Sequence, residues 1–137
     1  MKKLIIILLM LMPFVTKAQV TLIPDQNFEN YLVHWGYDSD GLINGQILTS
    51  DALTVTELDF VNKGSNPYIS NLSGISDFLN LETLKVIMGS NTINFVNLSN
   101  LKKIYLDVPV LASFDATSLS SLEELELEST FLDVPHR

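Results

Sequence analysis

One six-residue pattern of apolar and polar positions recurs through the second half of the chain. Leu81-Glu82-Thr83-Leu84-Lys85-Val86 is apolar at its first, fourth and sixth positions. Leu101-Lys102-Lys103-Ile104-Tyr105-Leu106 repeats it 20 residues on, and Leu122-Glu123-Glu124-Leu125-Glu126-Leu127 repeats it 21 residues after that. A looser copy, Val55-Thr56-Glu57-Leu58-Asp59-Phe60, stands 26 residues before the first. The end of each unit has period two, which predicts a short strand with one buried face. Parallel strands at this spacing need return segments. The first return carries Ile69, Leu72, Ile75 and Phe78, the second Ile93, Phe95 and Leu98, the third Leu111, Phe114 and Leu119. One unit cannot bury its apolar face alone, whereas stacked neighbours can. The pattern therefore predicts a stacked-repeat architecture of the α/β class over residues 54–137.

The pattern changes upstream. After the short extended start Val20 to Ile23, Pro24-Asp25 reads as a helix beginning, with Asp25 able to accept hydrogen bonds from free backbone N–H groups. Phe28, Tyr31, Leu32 and Trp35 follow at helical spacing, and Gly36 supplies a stop. This one-sided helix needs an apolar partner, and the open end of a repeat stack supplies one, so residues 19–53 are expected to form an N-terminal helical cap with Tyr31 and Trp35 in its core. Asp38-Ser39-Asp40-Gly41 resembles part of a calcium loop. Aligned on Gly41, however, the first and twelfth ligand positions fall on Gly36 and Ile47, neither of which offers a side-chain oxygen. A polar turn with Gly41 and Gly45 at positive φ is expected instead, and no metal is assigned, with calcium at Asp38 and Asp40 the open alternative. Thr49-Ser50-Asp51 caps a further short turn.

Residues 1–18 belong to neither part. Lys2-Lys3 precedes an apolar run from Leu4 to Val15, and Thr16-Lys17-Ala18 places small residues where a signal peptidase reads. This is the form of a secretory signal peptide cleaved after Ala18, and the run is short for a membrane span. Export to the outside or to the cell surface follows, with no stable membrane insertion after cleavage.

Composition narrows the chemistry. The formal charge is −8 over 137 residues, and loss of Lys2, Lys3 and Lys17 makes the mature chain more acidic still. Such a surface repels phosphate backbones, so no nucleic-acid partner is expected. There is no cysteine, which excludes disulfides and thiolate chemistry. His34 and His136 are the only histidines, and neither sits in a nucleophile or metal motif. Glu123, Glu124, Glu126 and Glu128 read as a solvated strand rather than an acid–base pair. No enzymatic activity and no cofactor are expected.

The recurring units match the L-x-x-L-x-L part of the leucine-rich repeat pattern, L-x-x-L-x-L-x-x-N. Ile69-Ser70-Asn71-Leu72-Ser73-Gly74-Ile75-Ser76-Asp77-Phe78 resembles the segment that precedes such repeats in secreted bacterial proteins. The region from Pro24 to Asp51 is similar to the N-terminal cap of leucine-rich repeat proteins secreted by Bacteroidetes-type bacteria. The resemblance implies a solenoid with a short parallel β-sheet on one face, and a sheet face that binds protein. The pattern's ninth position, usually Asn, is here Lys63, Gly89, Pro109 and Thr130. No continuous asparagine ladder is therefore expected, and the turns should be irregular. No C-terminal cap is expected after the fourth unit. Alternating glutamates on the last strand should discourage edge-to-edge pairing.

Stacked in register, the polar residues between the leucines form three rows: Glu57, Thr83, Lys103, Glu124; Asp59, Lys85, Tyr105, Glu126; and Val61, Ile87, Asp107, Glu128. Opposite charges abut at Asp59/Lys85 and Lys103/Glu124, which fixes register on its own. The sharper reading is a recognition face for a protein partner, with Tyr105 as anchor and Asp59, Lys85, Lys103, Asp107, Glu124 and Glu126 around it. The alternative is a structural N-terminal piece of a larger cell-surface protein whose activity lies further along.

Overall fold

The computed structural model describes residues 18–63, 68–89, 92–109 and 113–128. Residues 1–17 of the expected export segment, together with Leu111, Thr130 and His136, lie outside the described residues.

The helix forms where the apolar spacing places it. Helix α1 (Gln26–His34) starts at Asp25, whose carboxylate accepts from the backbone N–H of Asn27 and Phe28. Its end is marked by Gly36 at φ 71°, a left-handed conformation that costs glycine little. The same Asp25 reaches across the fold to accept from Ser70 N, Ser70 Oγ and Asn71 N. Phe28, Tyr31 and Leu32 are buried. Phe28 meets Phe60 edge-on at 5.3 Å and Phe78 at 5.6 Å, and Tyr31 lies 4.6 Å from Phe60 between ring centroids. Trp35 departs from the expected core position, being 47% exposed. It follows the last helical residue, so its ring sits at the rim against Tyr31 and donates Nε1–H to the Lys63 carbonyl.

Strands β1 (Val20–Leu22) and β2 (Gln46–Leu48) pair antiparallel beside α1, and a helical turn, α2 (Thr49–Ala52), leads onward. The expected cap at Thr49-Ser50-Asp51 takes another form. Leu48 precedes α2 without a side-chain capping bond, and Asp51 instead accepts from Ser39 N. The loop between α1 and β2 is a polar turn with Gly41 and Gly45 at positive φ. Buried Glu29 holds it through one carboxylate oxygen, which accepts from Asn44 N, Gly45 N and Gln46 N.

The recurring units form a parallel sheet. Strands β3 (Glu57–Asp59), β5 (Thr83–Met88), β7 (Lys103–Asp107) and β9 (Glu124–Glu128) lie side by side in that order, and β4 (Tyr68–Ile69) pairs with the later half of β5. The pairs are those of the repeat spacing, with Leu84 opposite Leu58 and Ile104, and Leu125 opposite Ile104. The returns also pair: β6 (Thr92–Ile93) runs parallel to β8 (Ser113–Phe114). Leu58, Leu84, Val86, Ile104 and Leu106 from the strands share one core with Ile75, Phe78, Ile93, Phe95, Leu98 and Leu119 from the returns. Each such side chain contributes about 1.5–3 kcal/mol by leaving water. The protein is thus mixed α/β, with a parallel sheet and few helices.

Two expectations about the units change. Phe60 ends the first unit as a strand residue by pattern, yet it opens a helical turn, α3 (Phe60–Lys63), because its ring is drawn under Phe28 and Tyr31. Val61 therefore leaves the third polar row, and Tyr68 of β4 stands opposite Ile87 instead. The side-chain amide ties between units also exist, at the other end of the strand. Asn80 Nδ2 donates to the Leu53 carbonyl at 2.7 Å and Asn100 Nδ2 to the Leu79 carbonyl at 2.9 Å. Ser120 Oγ stands 3.5 Å from the Ser99 carbonyl, a weak version of the same tie. Gly89 stands at the pattern's usual Asn position with the exposed Tyr68 ring over it, and a Cβ there would meet the phenol oxygen unless the ring moved aside.

Candidate functional site

The outward face of the sheet holds the polar residues that the alternation leaves between the buried leucines. Register brings them into rows as expected for the first two: Glu57–Thr83–Lys103–Glu124, and Asp59–Lys85–Tyr105–Glu126. In the third, Ile87, Asp107 and Glu128 are neighbours. A shallow concavity of about 660 Å³ lies on this face, and Lys85, Lys103, Tyr105, Glu124 and Glu126 line it. Glu57 of the first row also lines it, as do Val61 and Asn62 of α3, and Asn62 is the one that the sequence pattern did not place on this face. Asn62 sits there because α3 turns it back toward Asp59.

Asp59 and Asp107 are not part of the lining. Both are buried, at 3% and 5% exposure, so their role differs from that expected of contact residues. Asp59 accepts from Asn62 N at 2.9 Å and from Asn62 Nδ2 at 3.2 and 3.0 Å, and pairs with Lys85 Nζ at 3.2 Å. Burial pushes its carboxyl up, but the Asn62 side chain and backbone bonds and then Lys85 outweigh burial, and the carboxyl ends below its ordinary value. Its own backbone N–H donates to the Tyr31 hydroxyl. Asp59 thus ties the polar face to α1, and Lys85 is held in place by it.

The other charges are more exposed. Lys103 pairs with Glu124 at 3.1 Å, both side chains more than half exposed, which contributes roughly 0–1 kcal/mol. Lys63 pairs with Glu57 at 2.6 Å and Lys102 with Glu82 at 2.9 Å. Tyr105 is half-buried and donates its hydroxyl to Glu128 at 2.8 Å. That bond, with burial and the charges of Glu128, Asp107 and Glu126, pushes the phenol up to about 12. The face therefore grades from paired charges at β3 to a row of carboxylates at β9, with one aromatic ring between them.

The acidic loop lies elsewhere. Asp38 is buried; one oxygen accepts from Asp40 N at 3.3 Å, and the other accepts no hydrogen bond from the described residues. Burial raises its carboxyl, opposed by the bond from Asp40 N and reinforced by the Asp40 and Asp51 charges. Asp40 spends both oxygens on Leu42 N and Asn44 Nδ2. Among the described residues, no three carboxylate or imidazole groups lie close enough to hold a metal ion. Among them, too, no helix is long and apolar enough to cross a membrane.

No protein-family model matches the chain, and no curated protein matches it.

Proposed function

We propose that the chain is a secreted, non-catalytic leucine-rich repeat protein. Its parallel strands are the inner face of a short solenoid, α1 covers the solenoid's first turn, and the outward sheet face binds a protein partner. The observation that carries this reading is the concavity on that face, where Tyr105 stands between Lys85, Lys103 and Glu126. A half-buried tyrosine combines apolar area with a polar tip, the residue type enriched at interface cores, and the charges of both signs around it are those of a polar rim. Recurrence of one hydrogen-bond pattern supports the solenoid. The Thr56, Glu82 and Lys102 carbonyls each accept two successive N–H groups from the next unit: from Glu82 and Thr83, from Lys102 and Lys103, and from Glu123 and Glu124. The three bends before the strands recur as well, with Leu81 N bonded to Phe78 O, Leu101 N to Leu98 O and Leu122 N to Leu119 O. Each unit thus hands its backbone to the next in the same way, as quasi-one-dimensional stacking requires.

The test is capture of a partner from cell-surface extracts by the mature chain and by its Tyr105→Ala and Lys103→Ala variants. A protein retained by the mature chain and lost from both variants supports the face. Equal retention by all three removes it. Lys85→Glu is unsuited to this test, because it sets a second carboxylate against buried Asp59.

A further inference from the structure

Strand β9 has the pattern of an inner strand yet is the outer one among the described residues. Its apolar positions match those of β5 and β7, but the burial does not. Leu84 and Val86 are 0% exposed and Ile104 and Leu106 2% and 0%, whereas Leu125 is 42% and Leu127 46% exposed. Among the described residues no strand pairs with its outer edge. The backbone direction at that edge follows from the hydrogen bonds on the inner one. Glu124 N donates to Lys102 O, and Val108 N donates to Glu128 O, so the even-numbered residues of β9 turn toward β7. In a parallel ladder alternate residues face opposite neighbours. The N–H and C=O groups of Leu125 and Leu127 therefore face outward.

Charge selects the occupant. Glu124, Glu126 and Glu128 stand on the polar side of β9, and across the ladder Glu128 lies opposite Asp107. Of the three, Glu124 meets a cation. A second copy that brought its own β9 would set carboxylates against carboxylates, and one that brought β3 would offer no free cation there, since Glu57 and Asp59 are already paired with Lys63 and Lys85. Like charges directly opposite one another destabilise a ladder, and opposite charges stabilise it. We propose that the outer edge of β9 docks an extended segment of a partner protein in which lysine or arginine alternates with aliphatic residues. The segment adds a strand, its aliphatic residues covering Leu125 and Leu127 and its cations meeting Glu126 and Glu128. The sheet-face reading is not needed for this edge.

Amide hydrogen exchange on the mature chain tests it, with a blocked hexapeptide of alternating lysine and valine as the probe at physiological salt. The amides of Leu125 and Leu127 should slow by about tenfold or more on peptide addition, while those of Glu124 and Glu126, already turned to β7, change little. The same peptide with glutamate for lysine should leave Leu125 and Leu127 unchanged, and Glu126→Lys, at an exposed position, should weaken the lysine peptide's effect. Equal slowing by both peptides, or none by either, overturns the proposal. So does protection of Leu125 and Leu127 in the free protein: independent of concentration, it means that the chain covers its own edge; dependent on concentration, it means a second copy. Loss of Tyr105→Ala binding to a captured partner bears on the sheet face and leaves this outcome unaffected.

Discussion

Replacing Asp25 by alanine should cost more than any other single polar change in the N-terminal half. Its carboxylate accepts five hydrogen bonds and joins α1 to the segment at Ser70 and Asn71. Loss of the helix cap costs about 1 kcal/mol. The bonds to Ser70 and Asn71 are charge-assisted, but both residues are exposed, so water recovers part of the loss and about 1 kcal/mol for each of the two residues is the appropriate figure. Asp25→Ala should therefore lose about 3 kcal/mol at pH 7, a large share of the 5–15 kcal/mol typical of a domain. Asp25→Asn, which keeps a capping oxygen but not the charge, should lose about half as much. Burial pushes this carboxyl up, but the Ser70 hydroxyl and the N–H groups of Phe28, Ser70 and Asn71 together hold it below its ordinary value. A depressed pKa stabilises the fold above the unfolded value and ceases to do so as pH falls through the folded one. The gap between the native chain and Asp25→Ala should accordingly narrow between about pH 5 and pH 2. Urea unfolding followed by the fluorescence of Trp35, the sole tryptophan, measures both. A cost under about 0.5 kcal/mol, the range of ordinary surface changes, or a gap that does not change with pH, would refute the reasoning.

Equivalent positions in different units should respond unequally. Leu84→Ala, fully buried, should cost about 2–5 kcal/mol, and Leu125→Ala, the matching residue of β9, about 1 kcal/mol or less; parallel urea titrations compare them. Lys85→Glu should destabilise by about 1–3 kcal/mol because it removes a partner of buried Asp59, while Lys103→Glu, at an exposed pair, should stay within about 1 kcal/mol; thermal melts distinguish them. Tyr105 should titrate near 12 by ultraviolet absorbance, and Glu128→Gln should bring it back toward about 10. Since the raised value favours the protonated phenol in the folded chain, its stabilisation holds below the unfolded value and fades as pH rises through the folded one.

The parallel register was legible because hydrophobic period and charge agreed. Leu84 aligns with Leu58 and Ile104, and the same alignment sets Lys85 beside Asp59 and Lys103 beside Glu124. The helix was legible through Asp25 and the spacing of Phe28, Tyr31 and Leu32, but Trp35 was not, since the last turn of a helix shares its period while its backbone already departs. Phe60 misled for a related reason. A strand pattern continued through it, and contact with two aromatic rings of α1 prevailed over the alternation. The amide ties of Asn80 and Asn100 come from the asparagine just before Leu81 and Leu101, whereas the repeat pattern places its asparagine after the strand. Burial of Asp59 and Asp107 was hidden altogether, because period two assigns them to the outward face and only α3, with Asn62, explains why Asp59 is covered.

The most direct test of the sheet-face claim is the affinity of a captured partner for the mature chain and for Tyr105→Ala. With unfolding stability unchanged within about 1 kcal/mol, Tyr105→Ala should raise the Kd about tenfold or more, the effect of losing an interface anchor. An unchanged Kd for a partner that still binds the folded chain would place recognition elsewhere and contradict the account.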